Sequence, residues 1–333
     1  MRLPRDLLVV QGAQHTLKCI LVTGGAGFIG SHLCERLLSQ GNSVVCLDNF
    51  DPYYSPDIKR KNIRELQKNE LFQLAECDIR DKGGLARLFS ASAFDSIVHL
   101  AARAGVRPSI KDPHIYQDIN IGGTINLLEM CREYSVSSFI FGSSSSVYGE
   151  NSKVPFSEND VLMKPISPYA ASKQSCELFC YTYHHLYDIH ITCLRFFTVY
   201  GPRQRPDMAI HKFTRMIESG EQIEIYGDGS SRRDYTYIDD VIDGIESAIR
   251  KNLEFEIINL GESETTELSR LVSLIEENIG KKAKVKKMPM QLEDVLITYA
   301  DISKARKLLG YKPQVKIERG IPSFVKWYRS QGC

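Results

Sequence analysis

A tyrosine and a lysine four residues apart, Tyr169 and Lys173, form the pair of side chains best suited to moving a proton. On a helix the positions i and i+4 share one face, so the phenol and the ammonium would lie side by side. A tyrosine with the ordinary pKa of about 10 is a poor base at neutral pH. A neighbouring ammonium favours the phenolate and prepares it for general acid/base catalysis.

A run of hydroxyl side chains, GSSSSVYG at residues 142–149, precedes this pair. It follows a short apolar segment, Ser138–Phe141, that predicts a buried strand. In a doubly wound sheet, residues just after a strand line the crevice at the carboxyl edge, where cofactors bind. A polar loop at the end of a strand would also contain serines. The serines and the Tyr–Lys pair together favour a catalytic site.

A glycine-rich segment, TGGAGFIG at residues 23–30, lies between a predicted strand and a predicted helix. Its glycines fit both G-x-G-x-x-G and G-x-x-G-x-x-G, and they let the backbone approach a pyrophosphate at the helix N-terminus. Asp48 ends the second predicted strand, 18 residues after Gly30. A carboxylate there binds the adenosine ribose and repels a 2′-phosphate. The sequence therefore predicts a dinucleotide site that prefers NAD to NADP.

Apolar strand patterns alternate with helical patterns in the first half of the chain. The strands are predicted at Lys18–Thr23, Ser43–Leu47, Leu71–Glu76, Ser96–Leu100, Ser138–Phe141 and Ile189–Phe196. Helices are predicted at Ser31–Gln40, Thr124–Tyr134 and Ala170–Leu186, and later near 209–218, 238–250, 267–279 and 317–330. This alternation predicts an α/β fold with a Rossmann-type doubly wound parallel sheet. After Phe197, frequent proline, glycine and arginine indicate a smaller C-terminal substrate-binding domain.

Three segments follow from this pattern. We predict a Rossmann domain at 18–197 with a returning segment near 235–262, and a substrate domain mainly at 198–333. Residues 1–17 form a leader without an assigned role, whose apolar run is too short for a membrane span or a signal peptide. The basic run at 281–287 is either a nucleic-acid patch or, as we expect, a solvated loop and edge strand.

Charge and cysteine content exclude several classes of protein. The 42 Lys and Arg residues balance 41 Asp and Glu residues, so the net charge of +1 gives no field that would draw nucleic acid or an anionic membrane. Nine scattered cysteines indicate buried free thiols in a reducing, cytoplasmic compartment. Cys176 and Cys180 lack a second pair of ligands, so no metal site is expected.

The motifs together resemble those of extended short-chain dehydrogenase/reductases, and within them those of nucleotide-sugar epimerases. The resemblance runs from about residue 18 to 330. Its segments are TGGAGFIG, HLAA (99–102), Asn120, SSSSVYG, SPYAASK (167–173), RFFTVYGPRQRPDMA (195–209) and RRDYTYIDD (232–240). The segment 195–209 is similar to that of UDP-glucuronate 4-epimerases, whereas UDP-glucose 4-epimerases usually have asparagine where Thr198 stands.

This resemblance implies NAD-dependent epimerisation at carbon 4 of a UDP-sugar, from UDP-glucuronate to UDP-galacturonate through a transient 4-keto sugar. Its catalytic residues would be Tyr169, Lys173 and Ser144. Residues expected to bind NAD are Gly24, Gly27, Phe28, Ile29, Gly30, Asp48, Asn49, Asp78, Ile79, Leu100, Ala101, Ala102, Asn120, Tyr169 and Lys173. Residues expected to bind the UDP-sugar are Ser144, Ser145, Ser146, Thr198, Arg203, Arg205 and Arg233. A homodimer through the helices at Thr124–Tyr134 and Ala170–Leu186 is also implied.

Several alternatives stay open. A UDP-glucose 4-epimerase and a UDP-glucuronate decarboxylase would share most of these residues, although a decarboxylase typically has an added acid in the serine run, where this chain has none before Glu150. A non-catalytic NAD-binding protein would lack Tyr169 or Lys173. Arg203 and Arg205 fit carboxylate ligands, diphosphate ligands or surface charges. Asp78 fits a residue beside the adenine or a loop cap.

Overall fold

Seven parallel strands form one sheet in the part of the chain that the computed structural model describes, residues 17–151, 153–290 and 295–332. In chain order the strands are β1 Cys19–Thr23, β2 Ser43–Asp48, β3 Phe72–Glu76, β4 Ser96–His99, β5 Ser138–Ser144, β6 His190–Phe196, β7 Thr198–Tyr200, β8 Gln222–Tyr226, β9 Arg232–Arg233, β10 Tyr235–Tyr237, β11 Phe255–Leu260, β12 Thr266–Glu267 and β13 Lys284–Met288. The main sheet has the order β3-β2-β1-β4-β5-β6-β11. Its winding reverses between β1 and β4, which leaves a crevice at the carboxyl ends of the strands.

Helices cover both faces of this sheet. They are α1 Phe28–Ser39, α2 Pro56–Ile63, α3 Lys82–Ala91, α4 Val106–Lys111, α5 Pro113–Tyr116, α6 Gly123–Glu133, α7 Pro168–Tyr187, α8 Ala209–Glu218, α9 Ile238–Lys251, α10 Leu268–Ile279, α11 Ser303–Leu309 and α12 Ile317–Ser330. Successive side chains of a strand point to opposite faces. Ile20 and Val22 therefore pack in the core with α1 and α9, whereas Leu21 packs in the core with α3, α6 and α7.

The predicted doubly wound α/β fold is confirmed, and the predicted strands and helices lie within about three residues of the observed bounds. The largest differences are the start of α1, which begins at Phe28, and the end of β5, which extends to Ser144. The sequence pattern missed α2, α3, α4, α5 and α11. These helices are short, and each buries only one or two residues, so their apolar pattern is weak.

The C-terminal part of the chain forms a smaller layer beside the main sheet. β7 pairs with β10 and β8 with β13, while α8, α10 and α12 pack together. β11 returns to the main sheet and pairs with β6. The edge strand expected within the basic run is present as β13.

The leader predicted at 1–17 lies outside the described residues, apart from Leu17. None of the described helices is both long and apolar enough to cross a membrane.

Candidate active site

A cavity of about 500 Å³ opens at the carboxyl ends of the strands, next to the point where the sheet order reverses. It brings together most of the residues predicted to bind cofactor or substrate. These are Gly24, Gly27, Phe28, Ile29, Gly30, Asp48, Asn49, Asp78, Ile79, Leu100, Ala101, Ala102, Ser144, Ser145, Ser146, Tyr169, Lys173, Thr198 and Arg205. Asn120, Arg203 and Arg233 lie outside its lining.

The glycine-rich turn forms one wall of the cavity. Gly24 has a φ of +67°, and a Cβ there would lie 2.8 Å from the backbone nitrogen of Ala101, so the position requires glycine. A Cβ on Gly30 would collide with the carbonyl oxygen of Gly24. Because glycine has no Cβ, α1 can begin close to the end of β1. No side chain caps the N-terminus of α1. Its first N–H groups are therefore available to a phosphate.

Asp48, the last residue of β2, and Asp78, which follows β3, form the next part of the wall. The Asp48 carboxylate is buried and accepts hydrogen bonds from the backbone N–H groups of Ala26 (3.2 Å) and Phe50 (2.9 Å). Burial raises the pKa of Asp48, although these hydrogen bonds and the positive charge of Lys59 act to lower it. Asp78 accepts hydrogen bonds from Arg80, which lower its pKa to about 2. Asp78 therefore caps its loop and also lines the cavity, while its predicted position beside the adenine stays a prediction.

Tyr169 and Lys173 project from the first turns of α7. Pro168 begins this helix, and the Ser167 hydroxyl accepts a hydrogen bond from the backbone N–H of Ala170 at 3.1 Å. The buried Lys173 ammonium donates to the carbonyl oxygen of Gly142 at 2.7 Å, just before the serine run. This hydrogen bond fixes the start of α7 against the end of β5.

The serine run bends into a 3-10 turn directly after β5. The Ser144 hydroxyl donates to the Ser146 hydroxyl at 3.1 Å and accepts from the Ser146 backbone N–H at the same distance. The side chains of Ser144, Ser145 and Ser146 line the cavity together with Tyr169 and Lys173. The predicted catalytic tyrosine, lysine and serine therefore face one space.

A buried ion pair lies behind this centre. Both Glu177 carboxylate oxygens accept from the Arg195 guanidinium, at 2.9 and 2.7 Å, and the Ser143 hydroxyl donates to Glu177 at 2.6 Å. The third guanidinium nitrogen of Arg195, Nη1, donates to the Tyr148 hydroxyl, which donates to Asn259 on β11. Burial alone would lower the pKa of Arg195, but Glu177 raises it above its ordinary value. This network joins β5, β6, α7 and β11 beneath the serines.

Asn120 supports the cavity from behind. It lies in a single π-helical turn before α6, and only about 1% of its surface is exposed. Its side-chain amide donates to the carbonyl oxygen of Arg103 and to the hydroxyl of Ser172, and its carbonyl accepts from the backbone N–H of Arg103. Asn120 thereby holds the loop after β4 against α7.

The predicted arginines point in different directions. The chain turns at Arg203, where φ is +64°, and the Arg203 side chain pairs with Glu35 on α1 at 2.7 Å. Arg205, two residues later, lines the cavity. Arg233 donates to the backbone carbonyl oxygens of Arg232 and Leu296.

Comparison with known proteins places this geometry in a family. The model of a family described as GDP-mannose 4,6 dehydratase matches residues 21–324. The chain belongs to this family of extended short-chain dehydrogenase/reductases. It is 44% identical over 308 residues to a UDP-glucuronate 4-epimerase of Thermodesulfobacterium geofontis, a match that covers 92% of this chain and 95% of that protein.

Solved structures of the extended short-chain dehydrogenase/reductases show the same fold. A UDP-glucuronic acid 4-epimerase from Bacillus cereus, in complex with UDP-glucuronic acid and NAD, has a TM-score of 0.89 and 41% identity, over 94% of this chain and 99% of that one. A UDP-glucose 4-epimerase from Thermus thermophilus, in complex with NAD, has a TM-score of 0.85 and 33% identity, over 93% of this chain and 99% of that one. The fold is therefore common to enzymes of different sugar specificity.

Sequence reasoning missed one part of this dehydrogenase/reductase site. Tyr53 lies between two guanidinium groups, those of Arg103 (4.4 Å from the ring centre) and Arg205 (5.5 Å). Arg103 pairs with Asp51 at 2.6 Å, and Arg205 pairs with Asp207. All five residues line the cavity. The only signal in the sequence is the aromatic and acidic composition of FDPYY at 50–54, after β2.

Glu177→Gln should strongly destabilise this dehydrogenase/reductase fold. The substitution leaves the buried Arg195 charge without its counter-ion, a change that costs about 3–5 kcal/mol. The free energy of unfolding from urea denaturation measures this loss. Glu76→Gln is the matched control, because it removes a carboxylate from the exposed pair with Arg60 and should change stability little. Equal effects of the two substitutions would contradict the role of the buried pair.

Proposed function

We propose that this chain is an NAD-dependent UDP-glucuronate 4-epimerase that forms UDP-galacturonate through a transient 4-keto sugar. The observation that carries the proposal is the position of Arg205, which lines the same cavity as Tyr169, Lys173 and Ser144. Acid/base and hydroxyl groups alone suit any 4-epimerase of this fold. An arginine beside them adds recognition of a carboxylate. The similarity to UDP-glucuronate 4-epimerases supports the same substrate.

The residues at the nucleotide end of the cavity fit NAD. Gly24 and Gly30 leave room for a pyrophosphate at the uncapped N-terminus of α1. Asp48 at the end of β2 would meet the adenosine ribose, and its charge disfavours a 2′-phosphate. When bound, NAD serves as acceptor and donor of the hydrogen on sugar carbon 4.

Tyr169 is the proposed acid/base of the reaction. As a phenolate it removes the proton from the 4-hydroxyl of the sugar. After the 4-keto sugar has rotated and presents its other face to the cofactor, Tyr169 returns a proton to that oxygen. Ser144 hydrogen-bonds the same oxygen and orients it. Lys173, fixed by its hydrogen bond to Gly142, binds the ribose next to the reacting ring and stabilises the phenolate by its charge.

The carboxylate of a uronate needs separate control. A 4-keto uronate is a β-keto acid, which readily loses carbon dioxide when its carboxylate is free to rotate. Arg205, with Ser145 and Ser146, is proposed to bind this group and hold it in a geometry that disfavours the loss. Thr198, half-buried at the start of β7, supplies a further hydroxyl on the same side of the cavity.

The domain roles follow from the same assignment. Residues 18–197, with the returning segment near 235–262, would bind NAD, and residues 198–333 would mainly bind the UDP-sugar. Arg233 is proposed as a diphosphate ligand. Arg203, which pairs with Glu35, is a weaker candidate for contact with substrate than Arg205. We expect the protein to act in the cytoplasm.

Product analysis tests this proposal. The purified protein is incubated without added cofactor with UDP-glucuronate, UDP-glucose or UDP-xylose, and the products are separated by chromatography. We expect interconversion of UDP-glucuronate and UDP-galacturonate, and NAD in the supernatant of the denatured protein. Turnover of UDP-glucose alone would assign a UDP-glucose 4-epimerase, and carbon dioxide with a UDP-pentose as the main products would assign a decarboxylase.

Tyr169→Phe should reduce epimerisation by about 10²–10⁴-fold, the usual contribution of a positioned acid/base. The fold and the bound NAD should remain, because only one hydroxyl is lost. Steady-state rates and cofactor content after denaturation measure both effects. Tyr187→Phe is the control, since it removes a hydroxyl from an exposed tyrosine at the end of the same helix. Near-normal turnover by the Tyr169 variant would rule out this assignment.

Arg205→Gln should lower kcat/KM for UDP-glucuronate about 10- to 150-fold more than kcat/KM for UDP-glucose. This range corresponds to a charge-assisted hydrogen bond of about 1.5–3 kcal/mol. The proportion of UDP-pentose should rise, because the carboxylate is held less firmly. Arg203→Gln is the matched control two residues away, and it should affect both substrates equally. An equal effect of Arg205→Gln on both sugars would refute the carboxylate contact.

A homodimer is proposed through α6 and α7. Leu178, Tyr181 and Leu186 on α7 are more than half exposed in the single chain, which is unusual for large apolar side chains on one helix. We expect sedimentation velocity to give twice the 37.7 kDa chain mass. Leu178→Asp combined with Leu186→Asp should give the single-chain mass, whereas Val161→Asp, at another exposed position, should not. A double variant that stays dimeric would place the interface elsewhere.

A further inference from the structure

Arg205 already has an anionic partner within the chain. Its Nε donates to Asp207 Oδ1 at 3.0 Å, and its Nη2 donates to Asp207 Oδ2 at 2.7 Å. Only 20% of the Arg205 side chain and 41% of the Asp207 side chain are exposed. Burial alone would raise the pKa of Asp207, but the hydrogen bonds and charge of Arg205 hold it below its ordinary value. Asp207 is therefore ionised at neutral pH, and the pair has no net charge.

This pairing leaves a defined part of the guanidinium for a ligand. Arginine has five N–H donors arranged in a plane, and Asp207 occupies two of them on the Nε edge. Three N–H donors remain, the two of Nη1 and the second one of Nη2. The ring of Tyr53, 5.5 Å from the guanidinium carbon, restricts how the plane can turn. Arg205, Asp207 and Tyr53 all line the cavity that contains Tyr169.

We propose that Asp207 is a specificity-determining residue, because it fixes which edge of Arg205 binds the C6 carboxylate of the sugar. The inference rests on the proposed function. Held on its Nε edge, Arg205 meets the substrate carboxylate in one orientation. The charge of Asp207 also repels that carboxylate. Asp207 therefore lowers the affinity for the uronate and at the same time fixes the orientation in which the carboxylate binds. A neutral sugar has no charged group to bind the free edge of Arg205, so Asp207 has little effect on its binding.

The orientation matters because it decides between two fates of the 4-keto uronate. In the loss of carbon dioxide, the bond between C5 and C6 breaks and its electron pair forms the enolate across C4 and C5. A proton from water then adds to C5 and gives a 4-keto pentose, and the hydride that NAD would hold from the first oxidation of C4 would return to C4 to give the UDP-pentose. The bond breaks readily only when it stands perpendicular to the plane of the C4 ketone. A carboxylate bound by one fixed edge of Arg205 is kept away from that orientation.

Asp207→Asn tests this inference, because it keeps the size of the side chain and removes its charge and one acceptor. KM for UDP-glucuronate should fall about three- to tenfold as the repulsion disappears. The proportion of UDP-pentose should rise about tenfold or more, while kcat/KM for UDP-glucose should change less than about threefold. A merely structural role would lower turnover of both sugars and would leave the product ratio unchanged.

Two further variants complete the test. Asp207→Glu keeps the charge and moves the carboxylate by one methylene, so KM should stay near that of the unmodified protein while the UDP-pentose proportion rises. If Asp207→Asn does not fold, Asp207→Glu tests the proposed role of Asp207 by itself. Glu221→Gln is the matched control, since it removes a carboxylate from an exposed arginine pair with Arg215.

The outcomes separate the two claims. If the unmodified protein epimerises UDP-glucuronate but both Asp207 variants keep its KM and product ratio, the role of Asp207 is refuted and the proposed function stands. If the unmodified protein does not turn over UDP-glucuronate, both the proposed function and the role of Asp207 are refuted.

Discussion

The ion pair between Glu177 and Arg195 is the interaction on which the rest of the site depends. Two opposite charges removed from water are tolerated only when hydrogen bonds satisfy both groups, and here Ser143 and Tyr148 complete the set. Glu177 lies on α7, two turns after Tyr169, and Ser143 lies directly before the cavity serines. The pair therefore sets the distance between the two elements that carry Tyr169 and the cavity serines.

The fold and the glycine-rich turn could be predicted from the sequence because their signals are local. Apolar strand patterns and glycine spacing depend on neighbouring residues, and so does the proximity of Tyr169 and Lys173 on one helix. Arg203 and Arg205 could not be distinguished in this way. They lie two residues apart in an irregular loop, and only the left-handed turn at Arg203 separates their directions. The position of Tyr53 likewise depends on contacts between distant loops.

Sugar specificity in this account depends on few side chains. Relatives named for UDP-glucuronate and for UDP-glucose have nearly equal TM-scores with this chain, so the backbone does not separate these substrates. The differences must lie in the side chains of the cavity, which include Thr198 as well as the charged groups. We propose that Arg205 binds the carboxylate of a uronate, and that Asp207, its ion-pair partner, fixes the orientation of the guanidinium. The acid/base centre can remain the same for every sugar, because the 4-hydroxyl is common to them.

The central claim is that the hydrogen on sugar carbon 4 leaves and returns to the same carbon without exchange with water. UDP-glucuronate that carries deuterium on carbon 4 tests it most directly, with the protein in ordinary water and no added cofactor. Mass spectrometry and NMR of the UDP-galacturonate formed should find the deuterium retained on carbon 4, with its configuration inverted. Loss of the deuterium to water, or no inversion at the labelled carbon, would contradict the account.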